Sequence, residues 1–281
     1  MYKVSLDKVM IFPTMQCNFN CRHCGWKNLH DNSIITPVDI EKLKSLNLLD
    51  EFKWVGSPRI YAGGGEPTLN IDTIKNMEIM IGDPQRISII TNGWFLNSVD
   101  DIYTVGKSLM DLYPAAKSPV ASIYISQNIY HQEQRHEASH VDAYNKVKKF
   151  HQMFPHIKVY IIPSGANGYY KPFGNALIND IPINDKSIEC YRLNKDTNEI
   201  YWAPVLTSGL NLYPCCSGQS EPIGNLYDDS IDVIKFRYAA LYEKIKDYGD
   251  SIEKCYKCTE LIKDIKMAKK IYIANSSTLS V

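Results

Sequence analysis

Short apolar runs alternate with longer amphipathic ones from residue 8 to about residue 163, and no other feature constrains the fold as strongly. The apolar runs are VMIFPT (9–14), RIYAGGGEP (59–67), RISIITNG (86–93), ASIYISQN (121–128) and IKVYIIPSG (157–165). Helix-like segments separate them at 37–53, 70–82, 98–114 and 141–154. The first opens at Thr36 and Pro37, a capping residue and a first-turn proline, and the last is stopped by Pro155. Strands and helices in strict alternation predict parallel strands joined by right-handed helical crossovers, an α/β fold. In such a sheet or barrel the functional residues gather at the C-terminal ends of the strands.

Those ends read Cys17–Cys24, GGGEP, TNG, SQN and PSG, all polar, glycine-rich or cysteine-rich. The 281 residues fit one large domain or one domain with an appendage, and a hydrophobic content of 44% supplies a core. A formal net charge of zero creates no field that would gather nucleic acid or an anionic membrane, so neither is an expected partner. No apolar run reaches the roughly 18 residues of a membrane span. The first residues lack the apolar stretch of a signal peptide. A cytoplasmic location with reduced thiols is therefore expected, where clustered cysteines mean metal binding or catalysis more often than disulfides.

Three of the eight cysteines fall within MQCNFNCRHC (15–24), spaced Cys17-x3-Cys21-x2-Cys24. A zinc site usually takes four ligands in two separated pairs, with His23 and His30 as the nearby supplements, and zinc stays open on the residues alone. A [4Fe–4S] cluster normally takes four thiolates, so three would leave one iron open. The motif after a first strand resembles the signature of the radical S-adenosylmethionine (SAM) superfamily. The resemblance implies a partial parallel (β/α)5-6 TIM-like barrel, and a cluster on Cys17, Cys21 and Cys24 whose open iron binds SAM. It also implies cleavage of SAM to a 5′-deoxyadenosyl radical that takes hydrogen from the substrate. By the same resemblance Gly64, Gly65 and Glu66 form the turn that holds the SAM amino group, and Asn92 belongs to the TNG turn. Ser126 meets the ribose, Arg135 the carboxylate, and Ile162–Gly165 the adenine. KPFGNA (171–176) resembles a later motif of the family, with Asn175 where arginine is common.

After about residue 165 the rhythm changes. A hairpin is expected at 199–215 and a helix at 230–249, closed by Gly249, within a smaller second domain (177–281) that follows the barrel (1–176). The other cysteines, Cys190, Cys215, Cys216, Cys255 and Cys258, all lie there. Their order resembles the SPASM and shorter twitch modules of radical SAM enzymes. This implies a second, auxiliary [4Fe–4S] cluster on Cys190, Cys215, Cys255 and Cys258, with a zinc site on the same thiols as the alternative. Cys215 and Cys216 can exchange roles. Cys216 is left over, either a buried inert thiol or a hydrogen donor to a substrate radical.

His131, His136 and His140 are expected on a solvated face, with a metal patch as the alternative, and Tyr169, Tyr170 and Trp202 in the core or near a substrate cleft. The resemblance implies an external electron donor such as flavodoxin or ferredoxin. It places a ribosomally made peptide first among substrates, modified by cross-linking, epimerisation or oxidation. A small molecule such as an amino sugar or aminocyclitol comes second, to be oxidised or epimerised. With about eight residues before the first strand, no fused leader-peptide domain is expected. A non-enzymatic zinc-binding protein is the third reading.

Overall fold

The computed structural model describes residues 2–24, 26, 33–46, 51–56, 59–75, 87–112, 122–162, 192–215, 221–246, 257–258 and 260–266. Its centre is a parallel sheet built from the five runs that the sequence marks out. These are β2 (Val9–Thr14), β3 (Ile60–Gly64), β4 (Ile87–Thr91), β5 (Ser122–Ser126) and β6 (Lys158–Ile162), which neighbour one another in that order. Every pairing among them is parallel. β1 (Lys3–Leu6) precedes them and lies in a different sheet.

The helices follow the expected crossovers. α1 (Pro37–Ser45) begins with a reciprocal cap in which Asp39 N donates to Thr36 Oγ1 and Thr36 N to Asp39 Oδ2. It ends earlier than expected: Phe52 is buried in the core, and Trp54 forms a parallel bridge with Leu6. The second crossover is helical over 71–75, and its remainder lies outside the described residues. α2 (Val99–Leu112) and α4 (His140–Met153) match the expected spans, the latter capped by Ser139. Between β5 and α4 sits a short helix that the sequence reading did not contain, α3 (Ile129–Gln134), capped by the Asn128 side chain.

Alternation along each strand sorts the two faces of the sheet. Ile11, Ala62, Ile89, Ile123 and Ile125 point to one face and, with Phe95, Leu109 and Phe150 from the crossovers, form the core. Met10, Phe12, Gly63, Ile90 and Ser126 point the other way and line a cavity. The β2–β3 register slips between Ile11 and Thr14, where Pro13 supplies no N–H to the ladder.

The C-terminal strands extend this sheet. β9 (Val205–Leu206) runs parallel to β2 on the edge away from β3, followed outward by β10 (Asn211–Tyr213) and β11 (Gly224–Asn225). The expected hairpin at 199–215 is thus shared between two sheets. β8 (Glu199–Trp202) pairs instead with β7 (Arg192–Asn194) and with β1, forming a three-stranded sheet. Ser5 of β1 and Lys53 both donate to the Glu199 carboxylate. α5 (Ile231–Ile245) covers this end, with Tyr238 stacked on Trp202 at 4.4 Å between ring centres. Trp202 is therefore a core residue. The expected boundary at 176/177, Tyr169, Tyr170, Gly249 and the 171–176 motif lie outside the described residues.

Candidate active site

The cavity opens where the parallel strands end and has a volume of about 320 Å³. Cys17, Cys21 and Cys24 line it together with Gly64, Gly65, Asn92 and Ser126. Seven of the expected residues, drawn from four different strand ends, therefore share one wall. Phe12, Phe19 and Trp26 supply apolar surface. Phe12 packs edge-on to Trp26 at 4.7 Å, and Trp26 edge-on to Tyr213 of β10 at 5.4 Å.

The thiol loop is fastened to the glycine turn by main-chain bonds. Gly65 N donates to Thr14 O at 3.0 Å and Glu66 N to Gln16 O at 2.7 Å. The glycines permit that approach. Gly64 has φ 108°, and a Cβ on Gly65 would lie 2.0 Å from Gln16 O. Their first task is thus to admit the chain's own backbone.

Glu66 is fully buried. Its Oε1 accepts from Thr68 N and Oγ1 and from Thr91 Oγ1, and its Oε2 accepts from Asn92 N at 2.7 Å. Burial pushes this carboxyl above its usual range, and the four donors pull it back. The carboxylate ties the end of β3 to the end of β4 and does not line the cavity.

Arg135 is not presented to the cavity either, which revises its expected role toward a ligand carboxylate. It is 1% exposed, and all five of its donors are taken internally. Nε and Nη2 bind Glu137 at 2.7 and 3.0 Å. Nη2 also donates to Gln127 Oε1, and Nη1 to Asn92 O and Ser126 O. Two residues apart, Arg135 and Glu137 face each other because His136 takes φ 54° and turns the chain back. His136 N donates to Glu133 O and Glu137 N to Gln132 O, the left-handed ending that closes α3. Ile162 does not line the cavity, but it is in register with Ser126, and Gln127 N donates to its carbonyl at 2.8 Å.

His23 and His131 form a wall that the sequence reading did not foresee. The His23 ring stacks on Tyr130 at 5.0 Å and meets His131 edge-on at 4.9 Å. His131 is buried rather than solvated, because Asn128 caps α3 and turns it inward, while His136 stays exposed. A capping Asn three residues before His131 was the available signal. Burial, with His23 and Arg135 nearby, pushes the His131 imidazole down to about 3. The unfolded chain protonates this ring near pH 6.5 and the folded chain only near 3. Between those values the unfolded state holds more protons, so stability falls with pH by about 1.4 kcal/mol per unit. Burial pushes the His23 imidazole down to about 4 as well, so urea unfolding at pH 7 and pH 5 is expected to show both losses and His131→Asn to lessen but not abolish them. Equal losses in both proteins would clear His131 as the cause.

Burial pushes the Cys17 thiol up to about 11, against the opposing Phe19 N–H at 3.4 Å from its sulfur. This side chain is therefore a protonated thiol until a metal replaces its proton, not a ready nucleophile. Among the described residues, no three His, Cys, Asp or Glu side chains converge on a point that suits one metal ion. Three thiols on one cavity wall are a donor set of the kind used by a cluster that takes one thiol at each of several irons. In the C-terminal part Cys215 and Cys258 are both buried, and Cys190, Cys216 and Cys255 lie outside the described residues. Among the described residues no helix is long and apolar enough to cross a membrane.

Comparison with known proteins gives an independent bearing. The family model of the Radical SAM superfamily matches residues 11–165. A GTP 3′,8-cyclase of Psychromonas ingrahamii is 31% identical over 87 residues, which span 29% of this chain and 24% of that protein. Among solved structures, BtrN in complex with AdoMet and 2-DOIA aligns with a TM-score of 0.50 and 19% identity. That alignment covers 86% of this chain and 87% of BtrN. A structure of anSMEcpe with bound AdoMet aligns at 0.49 and 14% identity over 98% of this chain and 96% of that one.

Proposed function

Because the chain belongs to the radical SAM superfamily, we propose that it removes a hydrogen atom from an unactivated C–H bond of its substrate. The fold implies SAM and a [4Fe–4S] cluster, and Cys17, Cys21 and Cys24 are the ligands we assign to that cluster. The observation that carries the reading is the meeting of these three thiols with Gly64, Gly65, Asn92 and Ser126 on one cavity. Cluster and SAM, when bound, supply a 5′-deoxyadenosyl radical.

The chain's own residues prepare the place for that chemistry. The glycine turn at Gly64 and Gly65 would offer backbone groups to the SAM amino end, and the Ser126 hydroxyl would meet the ribose. Ile162, set back from the cavity on the adjoining strand, would meet the adenine through the chain end that follows Ser126 rather than by lining the cavity itself. Phe12, Phe19 and Trp26 keep water from the reacting groups. Arg135 holds the turns that carry Asn92 and Ser126 and leaves the SAM carboxylate to other groups.

A second, closed [4Fe–4S] cluster on Cys190, Cys215, Cys255 and Cys258 belongs to the same proposal. The burial of Cys215 and Cys258 supports it. Cys216 is then a spare thiol, and an external flavodoxin or ferredoxin delivers the electron. A ribosomally made peptide is the first substrate reading. A small molecule is the second, favoured by the near full-length correspondence with BtrN, whose structure holds 2-DOIA.

Anaerobic reconstitution tests the core of the proposal. The wild type is expected to hold about eight irons and the Cys17→Ala/Cys21→Ala/Cys24→Ala variant about four, one cubane fewer. Formation of 5′-deoxyadenosine should fall to background in the variant. Zinc in place of iron, or undiminished SAM cleavage by the variant, defeats the reading.

A further inference from the structure

Asn92 is held from both sides by buried charge. Glu66 accepts its main-chain N–H at 2.7 Å, and Arg135 donates to its carbonyl. Its side chain has little freedom of its own. Trp94 N donates to Asn92 Oδ1 at 2.9 Å, which fixes which end of the amide is oxygen. The nitrogen must then face the thiol loop. There Nδ2 donates to Asn18 Oδ1 at 3.1 Å and stands 3.8 Å from Cys17 Sγ. Phe19 N approaches the same sulfur at 3.4 Å.

We propose that Asn92 is a positioning residue for the cluster, donating an N–H···S bond to Cys17 that raises the cluster's reduction potential. This rests on the reading that Cys17 is a cluster ligand. Reduction adds negative charge to the cluster and its thiolates, and a fixed N–H dipole aimed at a ligand sulfur stabilises that charge. The buried carboxylate of Glu66 works against reduction. It is also what clamps the compensating donor in place, with Arg135 gripping the other side of the same residue. The two buried charges and the TNG turn thus act together on one sulfur. Asn92 thereby acquires a task separate from any contact with SAM.

The test is a potentiometric EPR titration of the reconstituted protein, following the signal that SAM addition alters, with iron measured in each sample. Asn92→Leu and Asn92→Ala remove the N–H donor without adding charge and keep the main-chain bonds to Glu66 and Arg135. In variants that retain wild-type iron, the ratio of reduced to oxidised cluster at the wild-type midpoint should fall about threefold to tenfold. That is the size expected for one net hydrogen bond. An unchanged midpoint at wild-type iron overturns the inference and leaves the proposed function standing. A wild-type protein with no SAM-responsive signal, or one that is insensitive to Cys17→Ala, overturns the proposed function itself. Should both variants lose iron, the wild type decides. Asparagine labelled with 15N at its side-chain amide should give a nitrogen hyperfine coupling to the reduced cluster, and its absence refutes the bond.

Discussion

Gly65→Ala is expected to cost the protein most of its iron and a large part of its stability. The new Cβ would lie 2.0 Å from Gln16 O, 2.5 Å from Gln16 C and 2.6 Å from Met15 O. All three atoms are backbone, so no side chain can swing aside. Gln16 immediately precedes Cys17, and Gln16 O already accepts from Glu66 N across the same gap. Relief therefore requires moving the thiol loop away from the glycine turn. Overpacking costs roughly 1–3 kcal/mol where neighbours can yield, and the upper end applies against a rigid wall. Gly63→Ala is the matched control, because its Cβ would meet only side chains, the Phe12 ring at 3.3 Å and the Met10 sulfur at 3.6 Å. Iron content and urea midpoints of the two variants decide the matter. If Gly65→Ala holds iron as Gly63→Ala does, the contact between loop and turn does not position the cysteines.

The same region shows what a linear sequence conveys and what it withholds. The parallel strands β2 to β6 were legible because each is a local apolar run with a polar end, and the crossovers between them carry helical periodicity and caps. The gathering of Cys17, Gly65, Asn92 and Ser126 followed from that pattern, since parallel strands place all their C-terminal ends on one side. The pairing of β1 with β8 was not legible, because Lys3 and Glu199 meet across most of the chain and each strand is only four residues long. The attachment of β9 to β2 escaped for the same reason, with two residues and no periodicity to show. The sequence marks Glu66 and Arg135 as polar residues near a site, but it does not say which way they point. A carboxylate aimed at a ligand and one aimed at Thr68, Thr91 and Asn92 share the same letters. The direction is set by neighbours brought in from other strands.

Removing either member of the Arg135–Glu137 pair is expected to destabilise the protein by about 3–5 kcal/mol, the loss that follows when one buried charge is left without its partner. Both side chains are at 0% exposure, so solvent offers no compensation. Arg135→Leu also strips donors from Asn92 O, Ser126 O and Gln127 Oε1, which loosens two strand ends together. Glu137→Gln keeps the shape and one acceptor and should cost less than Glu137→Ala. The double variant Arg135→Leu/Glu137→Leu should lose clearly less than the two single losses combined, because it leaves neither charge unpaired. Arg135→Lys separates this account from the one the sequence suggested. A lysine keeps the positive charge but cannot bind Glu137, Gln127 and two carbonyls in a fixed fork. An internal clamp so weakened loses stability and iron first, with SAM affinity unchanged in the fraction that still holds a cluster. A ligand to the SAM carboxylate would show the opposite order, with a normal urea midpoint, normal iron and weakened SAM binding. Equilibrium dialysis of SAM alongside urea unfolding of the same preparations distinguishes the two.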